Sequence, residues 1–170
     1  MLPPSLASLP GLLLPLLARA PDDADAGFLA RLYASIRTDL ASPTADPALV
    51  ASIIGMQQRL QAAGYRKNFP LATYLVLEQA ATLCGRIVVD AGPAGLRLVD
   101  IALLPESRGQ GLGRHILRAL QGCAATAKLP LTLAVHDANP NARRLYVALG
   151  FELAMRDGFS QQMMWCNVRQ

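Results

Sequence analysis

Apolar and polar positions divide this chain into short segments of two periods. From Leu96 to Leu104 the apolar residues alternate. Leu96, Leu98, Ala102 and Leu104 are expected on one face of a strand, with Val99, Ile101 and Leu103 on the other. A proline and a glycine-rich loop follow, and then Leu112, Ile116, Leu120, Cys123 and Ala127 fall at helical spacing, with Arg114, Arg118 and Gln121 on the opposite face. The order is strand, loop, helix. Upstream, Pro21-Asp22-Asp23 opens a helix whose apolar stripe is Phe28, Leu29, Leu32, Ile36 and Leu40. A second helix is expected from about Pro47 to Ala63, with proline near its start and Gly64 after its end. Strands are expected at about Ala72 to Gln79 and Leu83 to Val89, and Asp90 to Gly95 reads as a turn. Downstream, Leu131 to Val135 is a buried strand and Asn139 starts a helix that ends at Gly150. Phe151 to Met155 and Gln161 to Val168 form a closing antiparallel pair around Asp157-Gly158. No internal repeat or second domain is visible.

The amino terminus is less regular. Leu9 to Leu17 is rich in leucine, and Ala18-Arg19-Ala20 resembles a small-residue cleavage site. Against a secretory signal, no basic residue precedes Arg19, and Pro3, Pro4, Pro10 and Pro15 interrupt the run. The stretch is too short to span a bilayer. The preferred reading is a loose extension over residues 1–11 and a single domain over 12–170, whose first strand lies near Leu12 to Ala18.

Composition narrows the classes. With 170 residues, 52% hydrophobic and 16% charged, the chain suits one compact domain and excludes overall disorder. The net charge is +4, but the cations are scattered and aromatic residues make up only 5%, which argues against a nucleic-acid surface. Cys84, Cys123 and Cys166 are odd in number and widely spaced, so a reduced, cytoplasmic protein without a metal site is expected. No membrane association is expected either.

Gly109, Gly111 and Gly113 stand where a helix begins. Unpaired backbone N–H groups and the helix dipole favour an anion there, and glycine lets it approach the backbone closely. The spacing matches neither GxxxxGK[ST] nor a full GxGxxG. The segment Arg108-Gly-Gln110-Gly-Leu112-Gly113 instead resembles the acetyl-CoA loop of the GNAT superfamily of N-acetyltransferases, [Q/R]xxGx[G/A]. A second segment, NPNARRLYVALGF from Asn139 to Phe151, is similar to that family's N…A…LY..LGF pattern.

This resemblance implies an α/β (α+β) GNAT fold: a mixed, mostly antiparallel sheet of six or seven strands, splayed between its fourth and fifth strands and flanked by about four helices. It implies acetyl-CoA as co-substrate and an amine as acceptor. The backbone of Ile101, Ala102 and Leu103 would then hold the pantetheine, and the main-chain amides from Arg108 through Gly109, Gln110, Gly111 and Leu112 to Gly113 the diphosphate. Arg108 and Arg114 could reach phosphates, although a solvated face explains them equally. Asn139 matches a family asparagine near the cofactor, or else caps the helix after it.

Tyr146 matches the family tyrosine that acts as general acid, and a phenol with a pKa near 10 can donate at neutral pH. Packing beneath the sheet is its alternative. The general base is open. Several family members carry a glutamate five residues before the asparagine, where this chain has Ala134. Asp100, expected on the face of Leu98 and Ala102, could be turned into a base by burial, or could hold a loop. His136 at the end of the next strand is the second candidate, with a structural role as its alternative. Glu78 is a third. The resemblance places the acceptor near Tyr33, Arg37 and Gly64-Tyr65-Arg66-Lys67. A homodimer through the closing strands is possible. Two functions compete: an N-acetyltransferase, or an acyl-CoA-binding sensor or scaffold of the same fold. A Rossmann-type nucleotide site fits poorly, because no acidic residue ends a following parallel strand.

Overall fold

The computed structural model describes residues 3–36 and 46–167. Its strands are β1 (Leu17–Arg19), β2 (Thr73–Gln79), β3 (Thr82–Gly92), β4 (Gly95–Leu103), β5 (Leu131–His136), β6 (Glu152–Asp157) and β7 (Ser160–Trp165). Its α-helices are α1 (Leu9–Leu13), α2 (Ala26–Ile36), α3 (Pro47–Asn68), α4 (Leu112–Ala127) and α5 (Pro140–Ala148). The strands form one sheet in the order β1-β2-β3-β4-β5-β7-β6. Among the described residues only β4 and β5 pair in parallel, as α4 requires by returning the chain between them.

The helices lie on both faces. On one, α4 carries Ile116, Leu117, Leu120 and Cys123 into the main core with Leu96, Leu98, Leu131 and Leu133 from the sheet. On the other, Phe28 and Leu32 of α2 pack on Val76, Ala102 and Leu104. Asp22 begins α2 through a capping box across a 3₁₀ turn at Asp23–Asp25, which explains the acidic opening of that helix.

The amino-terminal segment departs from expectation. Rather than a loose extension and a strand from Leu12, residues 4–6 form a 3₁₀ turn and residues 9–13 an α-helix, leaving only Leu17–Arg19 as strand. Pro4 and Pro10 sit in first-turn positions, where the missing N–H costs nothing. Leu6, Leu9, Leu13 and Leu16 are at most 1% exposed and belong to the main core. The His115 ring Nε2 lies 2.7 Å from the carbonyl of Leu13, an oxygen that can only accept, so His115 donates and ties this segment to α4.

Helix α3 also differs, running through Gly64 to Asn68. An interior glycine costs only about 1 kcal/mol, and Arg66 and Lys67 suit the carboxyl end of the helix dipole. Around Asp90 to Gly95 the strands extend further into the turn than expected, β3 reaching Gly92 and β4 starting at Gly95.

Candidate functional site

The decisive irregularity lies in β4. Val88 pairs with Asp100 but Val89 pairs with Leu98, so Val99 is an extra residue opposite β3. The bulge inverts the alternation. Leu96 and Leu98 face the main core, while Ala102 and Leu104, beyond it, face α2. Asp100 therefore does not share the face of Leu98. It stands on the α3 side, with Arg86 of β3.

At the same level β4 and β5 part. Their pairing covers Leu96–Leu131, Arg97–Thr132 and Leu98–Leu133 and goes no further. The amide of Leu104 donates to the carbonyl of Cys84 on β3 at 2.9 Å. By antiparallel alternation Ala102 also turns its backbone toward β3, whereas Ile101 and Leu103 turn theirs into the gap. Ala102 is thus removed from the expected backbone contacts, and its side chain is buried under α2. The carbonyl of Leu103 accepts a bond from Arg108 Nε at 2.8 Å.

The glycine loop enters α4 with Gly109 at φ +73° and Gly111, the N-cap, at φ +81°. Among the described residues no side chain caps α4, and its first-turn amides have no protein acceptor. The amide of Arg108, however, donates to the carbonyl of Pro105 at 3.1 Å and is already engaged. The Gln110 side chain bonds the carbonyl of Glu106 at 2.7 Å and lies outside the groove lining. A groove of about 580 Å³ runs along this loop, lined by Gly109, Gly111, Leu112, Gly113, Arg108, Arg114, Ile101, Leu103, Asn139 and Tyr146. A smaller cavity of about 160 Å³ fills the β4–β5 gap, with Asp100, Ala134 and His136 in its wall. Ile101, Asn139 and Tyr146 line both.

Tyr146 projects from α5 and is 6% exposed, with its ring 5.9 Å from that of Phe151. Burial, and then the charge of Asp100, raise its phenol above the ordinary tyrosine value. Asn139 caps α5, accepting from the amide of Ala142 at 3.1 Å, and still reaches the junction of the two cavities.

The two base candidates fare differently. Asp100 is not a carboxylate in apolar surroundings: its Oδ2 accepts from Arg86 Nη2 at 2.6 Å and Nε at 3.1 Å. Among the described residues its Oδ1 has only the hydroxyl of Tyr65, at 3.5 Å. Burial, and next the Asp100 charge, raise the Tyr65 phenol well above its usual range. His136 accepts the amide of Ala138 on Nδ1 at 3.1 Å. That bond occupies the lone pair of Nδ1. Glu78 is bound by Arg19 Nε at 2.7 Å on the far side of the sheet.

Of the expected acceptor residues, Tyr33 is 5% exposed within α2 and Arg37 lies outside the described residues, while Tyr65 reaches the site through Asp100. Arg86, Arg97 and Gln162 were not anticipated. A signal existed: Arg86 interrupts the apolar run LCGRIVV, and a charge in a half-buried strand needs a partner. Arg97 Nη2 donates to Gln162 Oε1 at 2.8 Å, and its guanidinium lies 5.8 Å from the ring centre of Phe69.

Residues 70–153 match a family described as Acetyltransferase (GNAT) domain. Over that segment the chain is similar to GNAT acetyltransferases. Over 84 residues, 49% of this chain, it is 33% identical to a protein of Bacillus subtilis (strain 168) whose name proposes [ribosomal protein bS18]-alanine N-acetyltransferase activity. The match spans 56% of that relative's length. The GNAT fold extends beyond the matched segment. The structure of PaiA N-acetyltransferase from Thermoplasma acidophilum in complex with coenzyme A superposes with a TM-score of 0.65 at 20% identity, covering 89% of this chain and 98% of that one. The ribosomal-protein-S18-alanine N-acetyltransferase of Escherichia coli gives 0.60 at 20% identity, covering 91% and 96%. The seven-stranded mixed sheet with its parallel β4–β5 pair agrees with the expected GNAT architecture, with five α-helices among the described residues rather than four. No described helix is long and apolar enough to cross a membrane.

Proposed function

We propose that this chain is an acetyl-CoA-dependent N-acetyltransferase that moves an acetyl group to a primary amine by direct attack in a ternary complex. The observation that carries the reading is the meeting of two cavities at Tyr146: a groove along an uncapped helix start, and an open gap between two strands. The residues present fit such a co-substrate. Outward amides of α4 and the side chain of Arg114 would receive the diphosphate, and the gap-facing backbone of Ile101 would hold the amide-bearing arm as an added strand.

In this reading the amine enters from the α3 side and lies against Asp100 Oδ1, the carboxylate oxygen that Arg86 leaves open. Asp100 orients the amine and accepts its N–H, while Tyr146 donates its phenolic proton to the departing thiolate. Arg86 holds Asp100 in place. With His136 bonded through Nδ1, Asp100 is the better acceptor of the two.

The acceptor is a primary amine of a small molecule, peptide or protein, and cytoplasmic action is part of the proposal. The test is free-thiol release from acetyl-CoA across a panel of amines, wild type against Tyr146→Phe. Turnover that falls about a hundredfold in the variant supports transfer. Coenzyme A binding without turnover on any amine would favour a sensor or scaffold, the reading that Ala134 in place of a carboxylate supports.

A further inference from the structure

Arg97 is half-buried on the α3 face of β4, two positions before Val99, which lines the cavity in the β4–β5 gap. Its side chain reaches across β5 to the amide oxygen of Gln162, whose strand partner Ala134 lines the same cavity. Burial lowers its affinity for its proton, so the guanidinium is partly stripped of water. Yet among the described residues no carboxylate stands within ion-pair distance of it. Asp90, opposite on β3, adds a favourable charge without a contact. The contrast with Arg86 and Arg19, each bonded to a carboxylate at 2.6–2.7 Å, is sharp.

The half of the sheet beyond Arg97 is open on this face. Ala134, His136, Met155 and Met164 are exposed there. For an amine that reaches the gap across this open half, the rest of its molecule lies over Thr132, Gln162 and Arg97. A desolvated guanidinium without an anion is a binding group for one, with a planar fork suited to a carboxylate.

We infer that Arg97 is a specificity-determining residue that binds a carboxylate of the acceptor. Two strand positions separate Arg97 from the cavity wall at Val99, about 7 Å. This corresponds to roughly two residues of extended peptide, so the acceptor class is a peptide amine with a carboxylate near its third residue. That carboxylate is either an acidic side chain or the carboxyl terminus of a short peptide. Gln162 holds the guanidinium ready, and Phe69 shields one of its faces. The inference rests on the transferase reading of the site.

The test compares amidated peptides that share an amino-terminal residue and carry Glu, Gln or Lys at the third position, together with a tripeptide bearing a free or an amidated carboxyl terminus. Steady-state kinetics with acetyl-CoA are read alongside calorimetric binding of each peptide to coenzyme A-loaded protein. Wild type is expected to favour Glu over Gln by about 10-fold to 100-fold in KM and in binding. In Arg97→Gln that ratio falls to about one, and Arg97→Lys keeps part of it. The tripeptide pair shows whether a terminal carboxylate serves as well as a side chain. Equal KM and affinity for Glu and Gln in wild type would overturn the inference, as would a preference that survives in Arg97→Gln. Unchanged coenzyme A affinity in the variants confirms that they are folded. Failure of acetyl transfer in wild type would count against the transferase reading, while the ratio of peptide affinities, measured on the free protein as well, still decides the role of Arg97.

Discussion

Arg86 on β3 and Asp100 on β4 meet through a single carboxylate oxygen, at 2.6 and 3.1 Å, with side chains only 13% and 15% exposed. Removing one partner of such a pair leaves a partly buried charge alone. Asp100→Asn is expected to cost about 3 kcal/mol in denaturant unfolding, and Arg86→Met/Asp100→Leu to recover most of it. Recovery of stability without activity in the double variant would separate the fold's need for the pair from the site's use of it.

Tyr146 gives a second expectation with a sign. Its phenol, like that of Tyr65, is raised by burial and by Asp100. A general acid of this kind stays protonated past pH 10, so the alkaline fall of kcat should begin above the ordinary tyrosine value of about 10. Stability follows the same linkage. Between about pH 10 and the raised folded values the unfolded chain loses protons first, so the two tyrosines stabilise fully below pH 10 and progressively less above it. Thermal unfolding from pH 8 to 11 should show that decline, and Tyr65→Phe and Tyr146→Phe should each flatten it.

At Gly111 the backbone, not the space, is restrictive. A Cβ there meets no heavy atom within 4 Å, but φ is +81°. Gly111→Ala is expected to cost about 1–2 kcal/mol of stability from the left-handed conformation. It should also weaken coenzyme A binding about tenfold by shifting the first amides of α4, as calorimetry would show.

The amino-terminal segment supplies a fourth test. Leu9 is fully buried against the core that α4 forms. Leu9→Ala should lower unfolding stability by about 2–5 kcal/mol, whereas an unpacked extension would leave it unchanged.

Sheet, helices and loop were legible in the sequence because their signals are local: alternation in β4, the stripe of α4, and two motifs in order. Where a motif named a residue, as at Tyr146 and Gly111, the sequence led to a position that lines the groove. Asp100 was found but misplaced, because one inserted residue at Val99 reverses a face, and a bulge leaves no mark in an apolar run. The N-terminal helix escaped because its prolines read as breakers, although at first-turn positions they are compatible with helix. Arg97 and Gln162 lie 65 residues apart, a pairing that only the sheet order creates.

In the proposed reading, outward amides at the start of α4, with the open edge of β4, hold coenzyme A. Isothermal titration of the folded chain with coenzyme A tests it most directly. One site per chain is expected, with affinity reduced about tenfold by Gly111→Ala and retained in Tyr146→Phe. Folded wild-type protein that takes up no coenzyme A would contradict it.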